Sequence, residues 1–468
     1  MIVLWLQVVW FIFFITNVEV ECSKMFEHVV NSFPEINKPL SAKYLQCSAY
    51  LTIKERVPGI LQGAIDDLRN DEEIKSKYGE DVVKEIETIV KQVETLKNGM
   101  SNDHPFVELT TSGSLSEEAA IFNKGIQKRQ LENSGNPASW FQAEWLFAEC
   151  YCYFKLNEIF RTSEYLNEYD YFSKVKNESL LASKAPILQL AKFINENRIK
   201  WASTEEEKKQ TFIFLLKCSL WGNKADLSLS GGKTVASDHT VGSEMSTLDQ
   251  NIIANDLEEV YELLNNNEDQ IIDIVLDNAG FELFNDLCFA DFLVQAGFAK
   301  KVIFHGKPMP WFVSDVTPLD FSSIFEILQN QFKSEQIDKL VNEWLNYLKN
   351  AQWIFKAETF WILPYDFSKM STVNPKLYEE LSQNKLIIFK GDLNYRKLVG
   401  DIYWEPTTSF KTALREFDPT NVVALRTVKA DCVAGLREGL FEEMTQKNPN
   451  WLIKPTGEYA LLQLSKKK

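Results

Sequence analysis

The sequence predicts an α/β protein whose mostly parallel sheet is flanked by helices, a three-layer, Rossmann-like arrangement, with a mainly helical domain on its N-terminal side. Two observations support this prediction. Before about residue 205, apolar residues recur at helical spacing and few segments are typical of strands. After it, short β-branched runs that end in polar residues or glycine alternate with helical patterns.

The helical domain is predicted to span residues 25–205. Within residues 82–96, isoleucine, valine and leucine fall on one helical face while lysine and glutamate fall on the other. The strongly aromatic segment 140–153 predicts another helix. Three glutamates at 205–207, directly after a serine and a threonine, are typical of a capped helix start.

Residues 206–468 are predicted to form an α/β catalytic domain. Its strand-like runs are residues 271–276, 301–304, 386–389 and 422–425. These runs are largely apolar, which indicates a sheet covered on both faces. A further strand-like run, 311–315, ends at Asp315. Ligands of parallel sheets bind at the carboxyl ends of the strands, where the polar residues of this half occur.

Composition limits the classes of function. The 468 residues are 45% hydrophobic, and 50 Lys plus Arg against 66 Asp plus Glu give a net charge of −16. This charge disfavours nucleic acid as a partner, and a small phosphate ligand would need local cations or a metal ion. The sequence has no GxxxxGK[ST] loop, no GxGxxG after a strand and no GxSxG turn. Nucleotide triphosphate hydrolysis, ordinary dinucleotide binding and serine-hydrolase chemistry are therefore unsupported.

Metal-ligating cysteine and histidine patterns are also missing from the sequence. The seven cysteines form no CxxC pair and the four histidines are scattered, which disfavours a structural zinc site and the common zinc-hydrolase patterns. An apolar leader covers residues 1–24, for which a signal peptide, a short anchor and a mispredicted translation start are three interpretations. Met25 and the reduced-type cysteine usage favour the third, and with it a cytoplasmic location.

Asp277 and Asn278 directly follow the strand-like run 271–276. Their side chains offer oxygen donors, which suit Mg²⁺ or Mn²⁺, and Asp315 is available as a third donor. The alternative is that Asp277 and Asn278 only cap the helix that starts near Phe281. Glu282, one position into that helix, faces either the same site or solvent.

Two further polar groups follow strands. In the segment 390–396, Gly391 permits a tight turn, and Asp392, Asn394 and Arg396 can bind hydroxyls and an anionic group together. An ordinary polar loop is the alternative. In the segment 426–429 two cations and a hydroxyl follow another strand, which indicates an anion pocket or, alternatively, a solvated basic turn.

Taken together and in this order, the segments 277–282, 390–396 and 426–429 resemble the metal-dependent damage-control phosphatase family. The chain is similar to the eukaryotic branch marked by Arg-Thr-x-Lys, whose animal members are also named acidic residue methyltransferase. The resemblance extends from about residue 39 to residue 454. It implies an α/β fold with a helical N-terminal part and a bound Mn²⁺, or Ni²⁺, Co²⁺ or Mg²⁺ in its place.

The resemblance also implies residue roles. The implied metal ligands are Asp277, Asn278 and Asp315. The implied substrate contacts are Asp277, Asn278, Asp392, Leu393, Asn394, Tyr395, Arg396 and Lys429, and we add Arg426 as a further cation beside the phosphate. Asp277 and Asp392 are the predicted catalytic residues, Asp392 as a general base or as a clamp for a substrate hydroxyl.

The predicted activity is hydrolysis of small sugar phosphates, with fructose 1-phosphate and fructose 6-phosphate as the implied substrates. The first alternative is an S-adenosylmethionine-dependent carboxyl methyltransferase acting on protein glutamate, with Glu282 and Asp315 contacting the methyl donor. The glycine-rich turn usual in such enzymes is missing, and three oxygen donors for a hard metal have no obvious use in methyl transfer. The second alternative is a non-catalytic interaction protein built on the aromatic helical domain.

Overall fold

The computed structural model describes residues 28–111, 113–198, 201, 204–222, 248–265, 270–452 and 457–467. The predicted leader at residues 1–24 lies outside this part of the chain. Within it, no helix combines the length and the apolar character needed to cross a membrane.

The N-terminal region is helical, as predicted. The amphipathic pattern at residues 82–96 lies in one long helix whose Val82, Ile86, Val90 and Val93 are buried. The helices of this region are α1 Ser48–Leu51, α2 Val57–Arg69, α3 Glu72–Tyr78, α4 Glu80–Ser101, α5 Ser116–Glu132, α6 Trp145–Arg161, α7 Ser173–Ala182, α8 Lys184–Asn197 and α9 Glu205–Trp221. A π-helical turn, Thr52–Arg56, joins α1 to α2.

Most of the strands belong to one sheet. The strands of the described residues are β1 Lys38–Pro39, β2 Ile252–Asn255, β3 Ile271–Val275, β4 Lys301–Gly306, β5 Trp353–Ala357, β6 Leu386–Lys390, β7 Ile402–Tyr403, β8 Asn421–Thr427 and β9 Ala460–Ser465. The main sheet has the order β2-β9-β8-β6-β3-β4-β5, while β1 and β7 pair separately. Strands β8, β6, β3, β4 and β5 run parallel, and β9 runs antiparallel to β8. The predicted mostly parallel sheet is confirmed.

The helices of the C-terminal half alternate with these strands. They are α10 Leu257–Asn265, α11 Phe281–Gln295, α12 Pro318–Ile327, α13 Glu335–Lys349, α14 Met370–Val373, α15 Pro375–Ser382, α16 Gly391–Val399, α17 Phe410–Ala413 and α18 Leu440–Lys447. A second π-helical turn, Leu328–Phe332, follows α12, and 3-10 turns lie at Thr359–Ile362 and Phe367–Lys369. The helix predicted after residue 280 is α11.

Two hydrophobic cores cover the two faces of the sheet. Successive side chains of a strand point to opposite faces, so Val275 joins one core while Ile272 and Ile274 join the other. Helices α2, α4, α6 and α16 contribute to the first core, and α8, α9, α11 and α13 to the second. This gives the predicted three layers. The domain boundary at residue 205 stays a prediction, and the second core contains helices from both sides of it.

The order in which strands are added to the sheet reverses next to β3, which makes this the topological switch point of the sheet. Strands β4 and β5 are added on one side of β3, and β6 and β8 are then added on the other. Neighbouring strands whose connections leave toward opposite faces open a crevice at their carboxyl ends, which is where open α/β sheets bind ligands. The loops after β3 and β6 therefore define the place to look for a site.

Candidate active site

The crevice beside β3 and β6 contains the first predicted group of residues. Asp277 is buried two residues beyond β3, and its backbone oxygen accepts a hydrogen bond of 2.9 Å from the backbone nitrogen of Val316. Gly391, the first residue of α16, lies against it with φ of +84°. A Cβ atom on Gly391 would overlap the Asp277 carboxylate. The glycine thus allows the chain after β6 to approach the chain after β3.

Asp315 reaches the same place through a turn, and the strand predicted for residues 311–315 is wrong. Residues 311–315 are not a strand: Phe312 and Val313 have φ of 44° and 74°, which turns the chain sharply. Asp315 then forms an isolated antiparallel bridge with Asn278, and the backbone nitrogen of Ala279 donates to Ser314 at 2.7 Å. This bridge places Asp315 beside Asp277 and Asn278. Left-handed φ values at a non-glycine and at a β-branched residue concentrate backbone strain beside the candidate ligands.

The carboxylates of this group influence one another. Burial, and then the charges of Glu282 and Asp315, raise the pKa of Asp277 well above its ordinary value, against the attraction of Lys429 and Lys307. Burial also raises the pKa of Asp315 to about 6, although Lys307 Nζ lies 3.2 Å from its Oδ2. Acidic groups therefore converge in a buried place where a cation would stabilise their charged forms.

Asn278 connects this group to Glu282. Its Nδ2 donates at 2.7 Å to Asp277 Oδ2 and at 2.7 Å to Glu282 Oε2, while its Oδ1 accepts from the hydroxyl of Ser314. Asp277, Asn278 and Asp315 supply only oxygen donors, so the chemistry of the set fits a hard divalent cation. In the described part of the chain no group of three or more His, Cys, Asp or Glu side chains is placed to hold a metal, and the predicted set contains one amide. Its role as a metal site stays a prediction.

Asp392 is fixed in the first turn of α16. Its Oδ1 accepts hydrogen bonds from Arg426 Nε at 2.7 Å and from the backbone nitrogen of Lys429 at 2.9 Å. Burial opposes ionisation, but the charges of Arg426 and Arg396 and the hydrogen bonds outweigh it and lower the pKa of Asp392. The side chain is 14% exposed, and its Oδ2 accepts no hydrogen bond from the described residues. One oxygen of an ionised carboxylate is thus available to a ligand.

The two arginines predicted to contact substrate have partners within the protein. Arg426 is fully buried, donates to the carbonyl oxygens of Cys432 at 2.6 Å and Ala430 at 2.9 Å, and lies over the ring of Tyr395. Arg396 donates to Asp401 and Glu149. Their substrate contacts stay predictions. Lys429, which is half-buried, is the predicted cation that combines partial exposure with an electrostatic effect on Asp277.

The remaining predicted residues of α16 hold the helix in place. Asn394 Nδ2 donates to the carbonyl oxygens of Lys390 at 2.7 Å and Leu276 at 3.3 Å, which ties the end of β6 to the end of β3. The Tyr395 hydroxyl exchanges hydrogen bonds with the backbone of Ala434, and Leu393 is buried in the first core. The segment 390–396 is therefore a strand end and a helix, and the alternative of an ordinary polar loop is wrong.

Two lysines of the site, Lys307 and Lys390, had no role predicted from the sequence. Lys307 follows β4, and its Nζ donates to the Leu276 carbonyl at 3.1 Å besides pairing with Asp315. Lys390 ends β6 and pairs with Glu282 and Asp286. Each lysine ends or directly follows an apolar strand, and in an acidic protein that position is a signal that could have identified both.

Comparison with known proteins confirms the family that the motifs indicated. Residues 52–444 match the model described as the Damage-control phosphatase ARMT1-like domain. Proteins named Damage-control phosphatase ARMT1 are similar over most of the chain. The Xenopus laevis protein is 37% identical over 437 residues, which is 91% of this chain and 98% of the relative. The human protein is 36% identical over 435 residues, 91% of this chain and 97% of the relative.

A solved structure is distantly similar to this chain. The crystal structure of a DUF89 family protein from Pyrococcus horikoshii aligns at 15% identity with a TM-score of 0.37, covering 76% of this chain and 92% of that one. The family model and the curated relatives, together with a mostly parallel sheet whose switch point holds the motif residues, lead to one conclusion. The chain belongs to the damage-control phosphatase family of the ARMT1-like type.

Proposed function

We propose that this protein is a metal-dependent phosphatase that hydrolyses phosphate monoesters of small sugars, with fructose 1-phosphate and fructose 6-phosphate as substrates. The observation that carries the proposal is the meeting of Asp277, Asn278 and Asp315 at the switch point, within the electrostatic reach of Lys429. Membership of a phosphatase family supports the reaction type. The net charge of −16 makes a local cationic pocket necessary for an anionic substrate.

The metal would be held by Asp277, Asn278 and Asp315, with Mn²⁺ as the first choice and Ni²⁺, Co²⁺ or Mg²⁺ as substitutes. When bound, it supplies Lewis-acid polarisation of a phosphate oxygen and of a water molecule. The residues fit this role because burial raises the pKa of both carboxylates, and the charge of Asp315 raises that of Asp277 further. Lys307 offsets part of that charge, since it pairs with Asp315.

The remaining steps of substrate binding and charge stabilisation are proposed for residues of the protein itself. Lys429 is proposed to stabilise negative charge on the phosphoryl group. Asp392 is proposed to accept a hydrogen bond from a sugar hydroxyl through Oδ2. Its lowered pKa favours this clamp over a general base, because an efficient base has a pKa near the working pH. Arg426 acts indirectly, since it holds Asp392 in position.

The test is phosphate release from both fructose phosphates, with and without Mn²⁺. We expect Asp277→Ala to lower kcat/KM by about 10³-fold or more and Lys429→Ala by about 10²-fold. Lys447→Ala changes an exposed lysine at the end of α18 and is the matched control, expected to keep wild-type kinetics. Unchanged rates in both site variants would contradict the proposal.

A second measurement separates phosphatase from methyltransferase. Calorimetry compares S-adenosylmethionine with a fructose phosphate plus Mn²⁺. The proposal expects heat of binding only for the sugar phosphate. Saturable binding of S-adenosylmethionine that is lost in Glu282→Gln would support the methyltransferase instead.

A further inference from the structure

A buried polar network lies directly behind the candidate metal ligands. Lys390, 1% exposed, places Nζ 3.0 Å from Glu282 Oε1 and 3.0 Å from Asp286 Oδ1, and it also donates to the carbonyl oxygen of Ser219. The Ser219 hydroxyl donates to Asp286 Oδ1 at 2.6 Å. Gly222 packs against the backbone of Glu282, where a Cβ atom would lie 3.0 Å from the Glu282 Cα. Glu282 is therefore held on several sides by groups that do not belong to the proposed reaction.

Glu282 also connects this network to the proposed metal ligands. Its Oε1 faces Lys390, so Oε2 is the oxygen left for Asn278 Nδ2, at 2.7 Å. An amide has one donor end and one acceptor end. Because Nδ2 donates to two carboxylates, Asp277 and Glu282, the amide oxygen must point the other way, where the Ser314 hydroxyl donates to it.

We propose that Glu282, oriented by Lys390, is a positioning residue that fixes the amide of Asn278 with its oxygen available as a metal ligand. The inference rests on the proposed function, because it concerns the same metal site. It gives Glu282 a role that needs no methyl donor. Groups outside the ligand set commonly orient metal ligands in this way, and their loss typically weakens metal binding by about 10–100-fold.

Glu282→Gln should reverse the direction of the hydrogen bond between residues 282 and 278. Lys390 can only donate, so it will attract the oxygen of the new amide and turn its NH₂ group toward Asn278. Asn278 must then rotate its own amide to accept that hydrogen bond, which presents Nδ2 instead of Oδ1 to a metal ion. Replacing Lys390 by methionine as well removes the cause of this rotation, since the glutamine oxygen can then accept from Asn278.

The experiment is calorimetric titration of the purified full chain with Mn²⁺ alone. We expect Glu282→Gln to bind Mn²⁺ at least about tenfold more weakly than wild type, and Glu282→Gln/Lys390→Met to bind more tightly than Glu282→Gln alone. Asp291→Asn is the matched control, because Asp291 is a buried carboxylate of the same helix that pairs with Arg198. Its Mn²⁺ affinity should equal that of wild type.

Each outcome decides the inference. Equal affinities of wild type and Glu282→Gln overturn it, as does a double variant that is weaker than Glu282→Gln. If Glu282→Gln fails to fold by circular dichroism, the same substitution is made together with Asn278→Asp, whose carboxylate has no donor end. In that background it should no longer weaken Mn²⁺ binding relative to Asn278→Asp alone, and a tenfold loss would overturn the inference. A wild type that binds no divalent ion removes the metal part of the proposed function instead.

Discussion

Two groups of buried charges lie beyond the carboxyl ends of β3 and β6, and they are built differently. We call the first the Arg396 cluster: it consists of Arg396, Asp401, Glu149 and Trp145. Arg396 pairs with Asp401 through Nε at 2.8 Å and Nη2 at 3.0 Å, and with Glu149 through Nη1 at 2.7 Å. The ring of Trp145 covers its face at 3.5 Å. This cluster joins helix α6 to helix α16.

The second is the site cluster, which consists of Asp277, Asn278, Glu282, Asp315, Lys307 and Lys429. Here burial and then the neighbouring acids raise the pKa of Asp277, although two lysines oppose them. In the Arg396 cluster every nitrogen of the guanidinium group donates to an acid, an arrangement that holds a fold together, whereas acids that repel one another persist where a ligand supplies the missing positive charge. The comparison shows that the role of a cation after a strand depends on its partners rather than on its position in the chain.

The largest effect on stability is expected from breaking the Arg396 cluster. Arg396→Met leaves Asp401 and Glu149 buried without their cation, so the free energy of unfolding should fall by about 3–5 kcal/mol. Urea unfolding followed by circular dichroism measures this. Arg437→Met, which removes an exposed pair with Glu443, is the control expected to match wild type. Lost activity with an unchanged unfolding curve would make Arg396 a substrate ligand after all.

The site cluster can be disturbed through the backbone at Gly391. Gly391→Ala and Gly297→Ala both place alanine at positive φ, +84° and +77°, which costs about 1–2 kcal/mol of stability in each. Only at Gly391 would the new Cβ meet the Asp277 carboxylate, while at Gly297 it meets no atom within 4 Å. The kcat/KM for phosphate release should therefore fall at least about tenfold in Gly391→Ala and stay near wild type in Gly297→Ala. Equal kinetics of the two variants would contradict the close approach.

Lys397 extends the comparison, because it is buried next to Arg396 in α16 and forms no ion pair with a carboxylate of the described residues. Its Nζ donates to the carbonyl oxygens of Trp361 at 2.7 Å and Leu363 at 2.8 Å, and burial lowers its pKa to about 8. Between that value and the ordinary 10.5, the unfolded chain binds more protons, so the free energy of unfolding rises with pH. The rise should be about 1–3 kcal/mol larger in wild type than in Lys397→Met. Parallel urea-unfolding curves across this range would contradict it.

The smallest effect, and one opposite in sign to Arg396→Met, is expected from Asp277→Asn in the presence of a chelator. The pKa of Asp277 is raised by burial and by neighbouring acids, so its charged form destabilises the metal-free fold at neutral pH. The amide removes that charge, and the free energy of unfolding should stay equal or rise by about 1 kcal/mol. Differential scanning calorimetry checks this. A clear loss of stability would place Asp277 with the structural charges.

Much of the α/β half was predictable because its strands are continuous apolar runs. The predicted runs at 271–276, 301–304, 386–389 and 422–425 all coincide with strands of the sheet. Strand β5, Trp353–Ala357, was not predicted, since four of its five residues are only half-buried and its pattern is weaker. Edge strands carry less of the apolar signal that identifies a buried strand.

The route by which Asp315 reaches the site was predicted incorrectly. Residues 311–313 are apolar and two of them are aromatic, which is typical of a strand, yet the segment forms a turn whose rings pack on the helical region. The ring centroid of Tyr153 lies 5.9 Å from that of Trp311 and 4.5 Å from that of Phe312. The Tyr171 hydroxyl donates to the Pro310 carbonyl at 3.3 Å. The pattern of neighbouring residues cannot predict these contacts, because the partners are more than 130 residues away in the chain.

The sequence by itself determined the family, the parallel sheet and the strand ends where polar side chains occur, because apolar runs and short motifs are local properties. Only the tertiary structure decided which charges face a ligand and which face each other. Arg396 and Lys429 are both cations that follow strands. Only folding brought the buried Glu149, 247 residues away in the chain, to Arg396, while it left Lys429 half-buried with an electrostatic effect on Asp277. The physical reason is that the charge state and availability of a side chain depend on burial and on neighbours brought together across the chain.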